Sequence, residues 1–279
     1  MMKRKITVCI ILSVLLILVA SLSGCISGRN IYEYTDAEYE ADENTILDVS
    51  NINGLVNITG WDRDTVFLEI EKSTKKIFGE DEFDKVEVNV NEIGNKISIE
   101  TVYLENNACV RVAVNLDIKV PTYVTVESVQ TINGGVYLSN LKGDVQINVK
   151  NGLISVCGVD GYVEAKTVNG AITIKDTTGV NDISTINGVI YAEIYDIKKD
   201  IEITTVNGDM DVFINPELDV NLEIVAKTIA GGISLNEMES LLDITIHEDR
   251  HIVATLGEGG NKIYMSITAG FIDLFKLVS

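Results

Sequence analysis

His247-Glu248-Asp249-Arg250-His251 is the one stretch of this chain whose residue types and spacing match a metal centre. The pattern sets two zinc-binding imidazoles around a general-base glutamate, and it works only on a helix, where both rings share a face. The flanks argue for strands instead. Leu242-Asp243-Ile244-Thr245-Ile246 and Ile252-Val253-Ala254-Thr255-Leu256 alternate in polarity and are rich in β-branched residues. Glu248-Asp249-Arg250 then reads as a hairpin tip. The longer zinc-protease form would need a glycine at Ala254 and a third histidine at Gly257, and His247 and His251 are the only histidines present. A surface turn is the expected reading, with a zinc peptidase at this pair as the alternative.

Other chemistry is thinner. Asp144, Asp160, Asp176, Asp196, Asp200, Asp209 and Asp211 stand at chain corners where carboxylates could hold calcium. They lack the Gly-Gly-x-Gly-x-Asp spacing of calcium-binding β-rolls, so solvated turns are expected. A glycan lyase or hydrolase would want paired carboxylates repeated on one strand face, whereas the outward positions Tyr137, Ser155, Thr173, Tyr191 and Asp211 are mixed. No phosphate-binding glycine loop and no serine or cysteine nucleophile with a base partner is visible. Asn57-Ile58-Thr59 is one glycosylation sequon. No catalytic residue, cofactor or metal is therefore assigned, and the chain reads as non-enzymatic. An enzyme acting on surface polymers is the alternative.

The elements that would position any site carry the stronger signal. Asn133-Gly134, Asn151-Gly152, Asn169-Gly170 and Asn187-Gly188 recur every eighteen residues; Asn207-Gly208 follows after twenty, and Asn53-Gly54 stands apart near the start. Around them runs a Thr-Ile-Asn-Gly phrase, clearest over 131–214, with decayed copies at Thr228-Ile229-Ala230-Gly231 and Thr268-Ala269-Gly270. Fixed short periods mark repeat architectures, in which each unit buries its apolar face only against its neighbours. Each unit holds two short strands and two corners, one at Asn-Gly and one near Gly143, Gly161 or Gly179. Glycine supplies the positive φ a corner requires, and asparagine tolerates it.

Two architectures fit. Asn-Gly is the strongest hairpin signal, and an antiparallel meander or sandwich would put Thr205 opposite Met210 and Ile203 opposite Val212. Constant unit length favours a single-domain β-solenoid of about eighteen-residue coils over 45–279, because coils about 4.8 Å apart let like side chains form ladders. Only 2 prolines occur, and Val and Ile dominate in alternation. Lys75 to Lys85 is the one plausible short helix or long loop. Phe271 to Val278 is expected to cap one end, or else to serve as an oligomer contact.

The first 25 residues stand apart from the fold. Lys3, Arg4 and Lys5 precede an apolar run over Ile6 to Leu22, which ends in Leu22-Ser23-Gly24-Cys25. The ending resembles the lipobox of prokaryotic lipoproteins. That likeness implies a signal peptide over 1–24, a lipidated Cys25 as first mature residue, and a place on the outer face of the cytoplasmic membrane. An uncleaved signal anchor is the alternative. Residues 26–44 are polar and acidic and read as a flexible tether, the second segment being 25–44 with its cysteine. Loss of three basic residues takes the formal charge from −20 to −23, which argues against nucleic acid as a partner. Cys109 and Cys157, 48 residues apart, read as ordinary strand residues, since spacing alone does not establish a disulfide.

Val49-Ser50-Asn51-Ile52-Asn53-Gly54, Ile58-Thr59-Gly60-Trp61-Asp62, Val120-Pro121 and the Thr-Ile-Asn-Gly repeats together resemble the putative-adhesin family of prokaryotic envelope proteins. The resemblance covers about 45–279. It implies an extracytoplasmic β-solenoid of unassigned function and transfers no catalytic residue. The function expected is that of a lipid-anchored structural or binding module of the envelope, with a glycan or protein partner.

Overall fold

Nearly every segment alternates apolar with polar residues, so the backbone extends and buries one face. The computed structural model describes residues 29–104, 111–227 and 231–278, which are all-β apart from short 3₁₀ turns. Ahead of the repeats lie β1 (Asn30–Glu40), β2 (Ile46–Asn53), β3 (Val56–Trp61), β4 (Thr65–Lys75), β5 (Val86–Ile93), β6 (Lys96–Tyr103) and β7 (Ala113–Pro121). The repeats supply β8 (Thr125–Asn133), β9 (Val136–Lys142), β10 (Val145–Asn151) and β11 (Ile154–Asn169). They continue with β12 (Ile172–Asn187), β13 (Ile190–Ile194), β14 (Ile201–Asn207) and β15 (Met210–Ile214). The chain ends with β16 (Val220–Ala226), β17 (Gly231–Ser234), β18 (Leu242–Glu248), β19 (His251–Leu256) and β20 (Asn261–Lys276). The stretch from Lys75 to Lys85 holds two 3₁₀ turns, Lys76–Phe78 and Glu80–Lys85, which seat a buried Phe83.

The strands flanking an Asn-Gly corner do not form the hairpin that the meander requires. β14 pairs with β12 and β20, and β15 pairs with β13 and β20, all in parallel. Two rows of parallel strands result. One row precedes the corners, with Asn53, Asn133, Asn151, Asn169, Asn187 and Asn207 in register and Ala269 next. The other follows them, with Val56, Val136, Ile154, Ile172, Ile190, Met210 and Ile272 in register. Apolar ladders such as Val129, Ile147, Ala165, Ile183 and Ile203 face the second row's ladders and make the core. β11, β12 and β20 run through both rows and join them.

Three expectations need correction. The supposed tether contains β1, which pairs antiparallel with β4 and packs Ile31 and Tyr39 against the core. Its acidic composition masked an ordinary edge-strand alternation, with charge placed where an edge should carry it. Parallel stacking does not extend over all of 45–279 either. β4 lies antiparallel to β7, β5 to β6, and β19 to both β16 and β18. Finally, Phe271 to Val278 does not cap an end. β20 sits between β14/β15 on one side and β16/β17 on the other, so the last strand fills an interior layer. β2 and β3 are placed likewise, between β6/β7 and β8/β9. Near both ends, chain order and stacking order part company.

Candidate functional site: the asparagine corner and its flanks

Glycine, threonine and asparagine in the Thr-Ile-Asn-Gly phrase each have a physical cause, though the hydroxyl of Thr131, the first copy's threonine, is buried without a hydrogen-bond partner. A Cβ on Gly134, Gly152, Gly170, Gly188 or Gly208 would meet the carbonyl oxygen of the preceding layer's glycine at 1.8–2.0 Å. Glycine is required because backbones approach there, more than for its φ. Gly54, Gly134, Gly152 and Gly208 have φ of 121–159°, while Gly170 and Gly188 do without positive φ. The decayed copies keep this glycine, since Gly270 approaches Gly208 and Gly231 approaches Gly270 at the same 2.0 Å. Threonine satisfies the crowded carbonyl. Thr167, Thr185 and Thr205 donate to Gly152, Gly170 and Gly188 at 3.1–3.2 Å.

Asparagine earns its place through hydrogen bonds rather than tolerance of positive φ, which falls instead to Asn140, Asp176 and Asn236. Asn133, Asn151, Asn169, Asn187 and Asn207 each donate Nδ2–H to the preceding Oδ1, at 2.7–2.9 Å. Asn53 donates to the Tyr103 hydroxyl, which donates to the Val112 carbonyl. All these amides point one way, so each bond polarises the next.

Apolar side chains flank this polar column on exposed ground. After the corners come Leu55 (45% exposed), Leu153, Val189 (48%) and Phe271 (56%); before them come Ile132, Ile186 and Val206. Gly135, Ala171 and Asp209 occupy the layers between the first four, so the apolar groups are spaced along this face, a pattern that suits a candidate interaction site. Next to it Tyr137, Ser155, Thr173, Tyr191, Asp211 and Asp273 form a single register row, as the outward pattern in the sequence suggested for the first five. Phe213 stacks on Phe275 at 4.8 Å and lies tilted against Tyr191 at 4.9 Å, with Lys175 Nζ 4.2 Å above the Tyr191 ring. Burial and the Glu193 carboxylate push the Tyr191 hydroxyl up to about 12. Burial, with Asp273 and Asp209 nearby, also raises Asp211. Beside Leu55 and Tyr137 a groove of about 350 Å³ is lined by Glu69, Glu71, Asn115 and Asp117. Its Glu71 is already held by Asn115 and Tyr34.

The histidine motif does not assemble. His247 lies on β18 and His251 on β19, and Glu248 pairs directly with His251 while His247 pairs with Ile252. Directly opposed residues share a face, so the two imidazoles project to opposite sides. His251 Nε2 lies 3.6 Å from Glu223 Oε1, and Glu223 is held below its ordinary range by Lys262 and then His251. Among the described residues no group of three His, Cys, Asp or Glu converges as metal ligands would.

The acidic corners serve as acceptors between layers. Asp144 takes the Tyr162 N–H and Lys198, and Asp196 takes the Tyr162 hydroxyl. Asp160 takes Thr178, Asp176 takes the Cys157 thiol, Asp200 takes the Lys262 N–H and Asp209 the Phe271 N–H. Burial and Asp176 raise the Cys157 thiol, which disfavours it as a nucleophile. Cys25, with its signal segment, and Cys109 lie outside the described residues.

Sequence reasoning missed Tyr103 as the column's terminus and the Phe213–Phe275 stack. Phe213 and Phe275 are 62 positions apart and meet only because β20 returns beside β15, which no local pattern announces.

No protein-family model and no curated protein matches this chain. Among solved structures, a putative lipid binding protein from Parabacteroides distasonis shares 14% identity at a TM-score of 0.42, covering 90% of this chain and 98% of its own. A putative adhesin from Bacteroides fragilis shares 12% at 0.40, covering 86% and 96%. A putative cell adhesion protein from Clostridium sporogenes shares 12% at 0.35, covering 89% and 100%. Similarity at that level carries no conclusion about this chain's fold or partners.

Proposed function

We propose that this chain is a non-catalytic binding or structural module of the cell envelope, of the putative-adhesin kind. On this reading Cys25 carries lipid, the outer face of the cytoplasmic membrane holds the protein, and the parallel layers wind as a β-solenoid. The observation that carries the proposal is the set of exposed apolar side chains just after the corners of every second layer, Leu55, Leu153, Val189 and Phe271, beside the asparagine column. Side chains held at such corners recur every second layer and suit a partner that is itself extended, an envelope glycan or protein. Contact would be polyvalent and without turnover, each layer adding a weak contact to its neighbours.

A screen of envelope glycans and envelope proteins against the Cys25→Ser chain tests the reading. Binding that Leu153→Asp with Val189→Asp abolishes, in a protein that still unfolds cooperatively, supports it. Binding indifferent to that pair, or conversion of the bound polymer to products, overturns it. The anchor is tested separately, because Cys25→Ser should release the chain from membranes and change its electrophoretic mobility.

A further inference from the structure

We propose that Asn207-Gly208 is a deamidation site of the folded protein, and that the asparagine column shields the Asn-Gly pairs before it. Asn-Gly is chemically the most labile asparagine context, because glycine has no side chain to obstruct the attack of its own nitrogen. In that reaction the glycine nitrogen bonds to the asparagine Cγ and gives up its proton, and the side-chain amide leaves as ammonia. Water then opens the resulting succinimide to aspartate or isoaspartate. Water in and ammonia out balance the step, and nothing is oxidised.

Reaction requires both partners to move. The glycine nitrogen must leave its hydrogen bond, and the carboxamide must turn its carbon toward it. Inside the column both are tied. Gly134, Gly152, Gly170 and Gly188 donate N–H to the next layer's asparagine carbonyl at 2.9–3.0 Å. The carboxamides of Asn133, Asn151, Asn169 and Asn187 are each held through Nδ2 and through Oδ1. Asn53 is held at both atoms too, by Tyr103 and Asn133.

Asn207 differs at the carboxamide. Its Nδ2 donates to Asn187, but the next position in register is Ala269, whose methyl group offers no donor to Oδ1. Gly208 N–H keeps its corner bond, 3.1 Å to the Ala269 carbonyl, so the backbone tie is common to all the corners. Solvent exposure does not separate the sites, since Asn133, Asn169, Asn187 and Asn207 are all exposed. What separates them is the missing rung. The product is also self-propagating. A carboxylate at 207 faces Asn187 Oδ1 as acceptor against acceptor, which loosens Asn187 next.

Incubation of the full chain at mildly alkaline pH, folded and in urea, followed by peptide mapping by mass spectrometry, tests this. The folded protein should convert Asn207 faster than Asn133, Asn151 or Asn169 by on the order of tenfold, the factor of one net hydrogen bond. In urea all six Asn-Gly pairs should convert at similar rates. Ala269→Asn adds the missing rung and should slow Asn207 toward the interior rates. Equal rates at Asn207 and Asn169, which are both exposed, in the folded wild type would overturn the proposal whatever the variant does, as would an unslowed Asn207 in a folded Ala269→Asn protein.

Discussion

Asn169 Nδ2 donates to Asn151 Oδ1 at 2.8 Å across eighteen residues of sequence, and the same bond recurs on either side of it. An asparagine in mid-column thus makes two side-chain bonds that no other side chain of its size reproduces. Asn169→Ala removes both and leaves Asn187 Nδ2 and Asn151 Oδ1 without their column partners. Because the corner is exposed, water takes up part of the loss. The expected cost is about 1–2 kcal/mol, read as a lower midpoint in urea at unchanged slope. An unchanged midpoint would mean the column only decorates the corner.

Gly170 and Gly79 separate two physical reasons for a glycine within one chain. At Gly170 a Cβ would stand 1.9 Å from the Gly152 carbonyl oxygen, with no positive φ involved. At Gly79 φ is 86° and nothing lies within 4 Å of the added atom. With ψ at 167° this is backbone that glycine alone readily adopts, so Gly79→Ala should cost about 1–3 kcal/mol of strain. Gly170→Ala must push two layers apart and should cost about 3 kcal/mol or more. Thermal unfolding of the two variants side by side gives the ranking, and the reverse order would discount the close-approach argument.

The repeat was legible because its cause is local and periodic. Eighteen-residue spacing made the Asn133 to Asn187 corners fall in one register column. What was illegible depends on distant contacts. β1 was hidden because Glu33, Glu38 and Glu40 gave an edge strand the composition of a tether, and only the partnership with β4 shows otherwise. β20 was misplaced because stacking was assumed to follow chain order, whereas the chain passes outward through β16 and β17 before returning. The same assumption concealed the Phe213–Phe275 stack, and with it part of the exposed face.

Tyr162 ties two corner acids together, Asp144 through its backbone N–H and Asp196 through its hydroxyl, and its titration should show it. The Asp196 carboxylate accepts its hydroxyl proton and, with burial, moves that hydroxyl from 10.0 to about 12. Folding therefore favours the neutral phenol. Its contribution is whole below pH 10, the unfolded value, and is lost as pH climbs through about 12 in the folded state. Stability should fall between those limits, and Tyr162→Phe, already lacking that bond, should fall less steeply. Denaturation midpoints at stepped pH decide it, and parallel slopes for the two proteins would count against the assignment.

His247→Ala addresses the one catalytic motif the sequence offers. Zinc in an H-E-x-x-H site needs both imidazoles within about 2.1 Å of one ion. Opposite faces of the β18–β19 hairpin deny that, and His251 is already directed toward Glu223. The exposed His247 side chain has no buried partner to lose. The variant should thus match the wild type in bound zinc and lie within about 0.5 kcal/mol of its stability. Elemental analysis that finds an equivalent of zinc in the wild type and none in the variant would require the hairpin to refold into a helix, and would return this chain to the enzymes.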